Sequence, residues 1–64
     1  MNERIIESWN ELKALLAETE VDVLKNAKGN ASAGIRARKK LRELKGKLAD
    51  LVKVTIEEGK QEKE

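Results

Sequence analysis

At 64 residues the chain has room for one small domain, and without cysteine or histidine it lacks the disulfides and common metal ligands that stabilise many chains of this size. A partner is the remaining route to a fuller core, and neither a metal nor a cofactor is expected. Charged residues make up 41% of the sequence, yet the net charge is only +2 because the two signs are segregated along it.

Residues 1–24 hold two cations and six carboxylates, a net −4. Residues 25–53 hold ten cations and two carboxylates, a net +8, and residues 54–64 return to −2. This division predicts pairing between segments, a charged ligand, or both. The N-terminus has no apolar signal core. No apolar run approaches the roughly 20 residues of a membrane span. The expectation is a soluble cytoplasmic protein with no membrane partner; the lack of cysteine leaves the redox compartment open.

The first segment carries a helical period. Ile5, Trp9, Leu12, Leu16, Thr19 and Val23 step by four and three in alternation, which is a heptad seam. Ile6, Leu15, Leu24 and Ala27 widen it, and Val21 falls outside it. With no proline to interrupt, the spacing predicts a helix over about residues 3–27.

Lys28, Gly29 and Asn30 then read as a turn. Gly29 suits the left-handed position just past a helix end, and Asn30 is an N-cap for a second helix. Ala31, Ser32 and Ala33 are small enough for two helices to approach closely.

The second segment repeats the pattern with Ala37, Leu41, Leu44, Leu48, Leu51 and Thr55, flanked by Val52 and Ile56. A helix over about residues 31–57 is predicted, completing a hairpin over 1–58, with 59–64 as a frayed charged tail. At 100° per residue, Arg36, Lys40 and Lys47 fall on one flank, and Arg38, Arg42 and Lys45 on the other. Lys39 lies near the outer pole, and Ile35 and Gly46 also point outward. The fold expected is all-α, an antiparallel two-helix hairpin. Because a lone hairpin leaves part of each stripe wet, dimerisation into a four-helix bundle, or assembly into a higher homo-oligomer, is expected through Ile5, Trp9, Leu12, Leu16, Leu41, Leu44, Leu48 and Leu51.

Catalysis finds no support. Histidine, cysteine and tyrosine are absent, Glu7 and Glu11 sit at the spacing of a solvated helix face, and Ser8 and Ser32 have no base beside them. No small-molecule substrate is expected. Phosphate binding is better supported. Arg36, Arg38, Lys39, Lys40 and Arg42 crowd into one stretch, with Lys28, Ser32, Lys45 and Lys47 around it. The amides opening the second helix, around Ala31, Ser32 and Ala33, add a positive dipole end. No aromatic residue lies among these cations, so base stacking and sequence readout are not expected. Trp9, the only aromatic residue, fits the apolar seam.

Lys28-Gly29-Asn30, the small run Ala31–Gly34 and then Arg36-Ala37-Arg38-Lys39 resemble the turn region of the histone H1-like Hc1 family of bacterial nucleoid proteins. The helix before the turn and the Leu/Lys/Glu-rich helix after it also match that family in place and length. The resemblance implies double-stranded DNA as the partner, bound without strong sequence preference, a place in the nucleoid, chromosome compaction and self-association. Arg36 and Arg38 match the family's two arginines, and Lys28, Gly29 and Asn30 its turn. Some members continue into a long Lys/Ala/Pro-rich tail; here residues 59–64 are of mixed charge, so bridging or binding by the hairpin is expected rather than condensation by charge neutralisation. RNA as a ligand is left open. The competing reading is a protein-interaction module whose basic face docks an acidic partner, and a third is a purely structural helical oligomer.

Overall fold

The computed structural model describes residues 2–62, which form two α-helices, α1 (Glu3–Ala27) and α2 (Ala31–Glu62). They pack antiparallel, as the contacts of Asp22 with Arg36 near the turn and of Asn2 with Glu58 at the open end show. The result is a rod with extents of 49 × 17 × 13 Å. The second helix runs through Gly59 to Glu62, past the expected end near residue 57. Lys63 and Glu64 of the expected tail lie outside the described residues.

Both ends of the connection are chemically closed. The amide of Asn30 donates to the Lys25 carbonyl at 3.1 Å and that of Gly29 to Asn26 at 2.9 Å. This paired termination requires a positive φ at the residue past the cap, and Gly29 has φ 103°. Asn30 then accepts from the Ala33 amide at 3.0 Å through its Oδ1, which starts α2. Asn2 does the same for α1, accepting from Ile5 at 3.1 Å.

Packing is closest beside the turn, where Ala33, Gly34 and Ala37 are buried on α2. A Cβ at Gly34 would collide with the Asn26 side chain, whose Nδ2 donates to the Asn30 carbonyl at 3.3 Å. Farther along, Leu12, Leu15 and Leu44 form the core, with half-buried Leu51 against them. Thr19 is buried with its hydroxyl donating to the Leu15 carbonyl at 2.7 Å, so no polar group is left unsatisfied there.

The buried line differs from the expected seam. On α1 it runs through Leu12, Leu15, Thr19 and Asp22, with Ile5 and Ser8 half-buried. Trp9, Leu16 and Val23 are instead 48%, 55% and 40% exposed. On α2 it runs through Ala33, Ala37 and Leu44 to Leu51, while Leu41 and Leu48 are exposed. Each helix carries apolar residues on two adjacent lines, and one neighbouring helix covers only one of them. Of the residues expected at an oligomer interface, Leu12 and Leu44 lie between the two helices of one chain, and Ile5 and Leu51 are half-buried there.

Gly29→Ala should lower stability by about 1–2 kcal/mol through its positive φ, whereas Gly46→Ala, an exposed helical position with open space around it, should raise it by about 1 kcal/mol. Urea unfolding of the two variants should displace the midpoint in opposite directions.

Candidate nucleic-acid interface

The second helix presents its positive charge on three sides. Lys28, Ser32, Arg36, Arg38, Lys39, Arg42, Lys45 and Lys47 are exposed, and Lys40 is half-buried. Helical spacing sets Arg38 and Arg42 along one flank and Lys39 near the outer pole. Among the described residues, no carboxylate lies within ion-pair distance of Lys28, Arg38, Lys39, Arg42, Lys45 or Lys47. These cations are therefore uncommitted, although six carboxylates occupy the neighbouring helix up to residue 22.

Arg36 and Lys40 are placed differently. Asp22, 5% exposed, receives Arg36 Nε on Oδ1 at 3.1 Å and Lys40 Nζ on Oδ2 at 3.0 Å. The Arg36 side chain remains half exposed beyond this contact. The bond from Lys40, followed by that from Arg36, holds the Asp22 carboxyl below the ordinary carboxylate range, against the opposing effect of desolvation. Asp22 did not stand out in the sequence because it lies off the heptad line. The antiparallel fold reveals it: Asp22 and Arg36 are each seven residues from Gly29.

At the other end of the rod the charges invert. Arg4 of the acidic helix binds Glu57 and Glu58 of the basic one, each at 3.1 Å, and Asn2 Nδ2 donates to Glu58 at 2.7 Å. The Asn2 bond is the main reason that the Glu58 carboxyl is also lowered, with Arg4 adding to it. The expected pairing of an acidic helix with a basic helix is thus confined, among the described residues, to the Asp22 cluster; the other ion pairs run the opposite way.

The amides at the start of α2 are only partly free. Asn30 takes those of Ala33, through its side chain, and Gly34, through its carbonyl at 3.2 Å. Ala31 and Ser32 remain, with no acidic residue in the first turn to offset the helix dipole. The expected contribution of the Ala33 amide to an anion site is therefore absent.

Opposite the Asp22 flank lies an apolar groove. Trp9, Leu16, Leu41 and Leu48 line one part of it, with Lys45 at its edge, and Leu16, Val23 and Leu41 continue it toward the turn. Trp9 therefore belongs to an apolar surface that only Lys45 of these cations borders. No group of three carboxylates that could hold a metal occurs among the described residues, and none of the helices there is long and apolar enough to cross a membrane.

The sequence matches the family described as Histone H1-like protein Hc1 over residues 6–61. The chain belongs to that family. No curated protein and no solved structure matches it. The histone H1-like Hc1 family is one of non-enzymatic DNA-binding proteins of the nucleoid, which fits an exposed ridge of unpaired cations.

Both Asp22 and Glu58 have lowered carboxyl pKa values in the folded chain. Their contribution to stability is present above the unfolded carboxylate pKa of about 4 and is lost as pH falls through the folded values. Thermal unfolding followed by circular dichroism should show the melting temperature falling below about pH 4, and Asp22→Asn should flatten that fall.

Proposed function

We propose that this Hc1-family protein binds the backbone of duplex DNA without strong sequence preference and, as a dimer, bridges or compacts it. The observation that carries the reading is the set of exposed cations on α2 that have no carboxylate partner among the described residues. Arg38, Lys39 and Arg42 form its centre, with Lys28, Ser32, Lys45 and Lys47 at its margins and Arg36 and Lys40 beside Asp22. A straight helix presenting charge without aromatic or amide side chains among it reads phosphates, which carry no sequence information directly.

The dimer rests on the apolar groove. Trp9, Leu16, Val23, Leu41 and Leu48 form one continuous apolar strip on a monomer whose own core is small, and a second copy offers an equally apolar surface to cover it. Two hairpins joined there would cover the groove of each copy and leave a cation ridge on each, as bridging requires.

Fluorescence anisotropy with two unrelated duplexes at two salt concentrations tests the DNA reading. Equal affinities that fall steeply with salt are expected. Arg38→Gln with Arg42→Gln should reduce the slope of log K against log salt by about 1.8, at about 0.9 per phosphate. Absence of binding at low salt would overturn it and direct attention to an acidic protein partner. Sedimentation equilibrium tests the dimer: Leu48→Asp should yield folded monomers, and a wild-type protein that stays monomeric throughout would exclude the bundle.

A further inference from the structure

The basic residues fall into two classes. Arg38, Lys39 and Arg42 are exposed and have no ion-pair partner among the described residues, whereas Arg36 and Lys40 both bind a single carboxylate that is almost fully buried. No other hydrogen bond reaches that carboxylate, so Arg36 and Lys40 are its entire compensation among the described residues. Pulling them toward an outside phosphate would strand a buried charge, and removing the partners of such a charge is far more costly than breaking an exposed pair. The outer cations carry no such penalty.

Resting on the DNA-binding reading above, we infer that Asp22 is an internal competitor for DNA phosphate: it withholds Arg36 and Lys40, and so assigns DNA to the outer ridge of Arg38, Lys39 and Arg42. Asp22 thereby limits affinity as well as tying α1 to α2. It acts through the two cations and is a positioning residue, out of reach of DNA itself. The stretch from Arg36 to Arg42, with five cations in seven residues, then delivers less binding charge than its composition implies.

The test is Asp22→Asn, which keeps the size and one acceptor oxygen while removing the charge. With helicity retained by circular dichroism, its duplex affinity should exceed the wild type's, and its salt slope should steepen by up to about 1.8, the release of two cations to phosphate. Between roughly 50 and 200 mM salt this adds about a tenfold loss of affinity for the variant. Adding Arg36→Gln and Lys40→Gln to Asp22→Asn should abolish the gain. An unchanged slope in folded Asp22→Asn would show that the cluster serves the hairpin alone, and weaker binding would show that Asp22 presents the cations to DNA; either overturns the inference. If Asp22→Asn does not fold, Arg36→Gln with Lys40→Gln, which keep donors for Asp22, decides: this pair should reduce the slope by much less than Arg38→Gln with Arg42→Gln, and an equal reduction would overturn the inference. Failure of the wild type itself to bind DNA would instead remove the functional reading on which this one rests.

Discussion

The three-residue connection Lys28–Asn30 is the constraint from which the rest follows. Its length forces α2 back along α1, and its chemistry makes the reversal sharp. Gly29 adopts a φ of 103° and the Asn30 side chain caps the Ala33 amide, so one helix ends and the next begins with their terminal groups largely satisfied. Small residues immediately after the turn let the helices converge. That convergence sets the register that brings Asp22 to Arg36 and Lys40, and Arg4 to Glu57 and Glu58.

Once the register is set, each helix can turn only one of its two apolar lines toward the other. The inner lines supply a small core of three leucines with small residues near the turn. The outer lines form a groove on one side of the rod, and the Asp22 cluster occupies the other. The cations of α2 that neither side uses point away from α1. A surface for a second copy and a surface for a polyanion can therefore coexist on a two-helix chain, because they occupy different arcs of the same helix. Burial of a leucine side chain is worth about 1.5–3 kcal/mol, so covering the outer lines would add a stabilising contribution comparable to that of the inner core.

Local signals were strong in the sequence where they depend on residues close together in the chain. Gly29, Asn30 and the proline-free apolar periods specify the turn and both helices without reference to anything distant. The choice between adjacent apolar lines was not legible, since Trp9, Leu16 and Leu41 fit a helical period as well as Leu15 and Ala33 do. Only the packing of one helix on the other decides which line is inside. The same holds for the cations: Arg36 and Lys40 look like Arg38 and Arg42 in sequence and differ because a residue fourteen positions before Arg36 folds back beneath them. Charge segregation suggested a zipper of opposite charges along the rod, but most carboxylates of α1 lie on arcs that α2 does not reach.

The central claim is that DNA and a second copy of the chain use separate surfaces, and Trp9, the only aromatic residue and 48% exposed on the groove, reports on it directly. Its emission spectrum should be followed first with protein concentration and then with duplex DNA added to the fully associated protein. The account predicts a blue shift on association and no further change as DNA binds to saturation. A Trp9 signal that ignores protein concentration but responds to DNA would place the nucleic acid in the apolar groove and contradict the account.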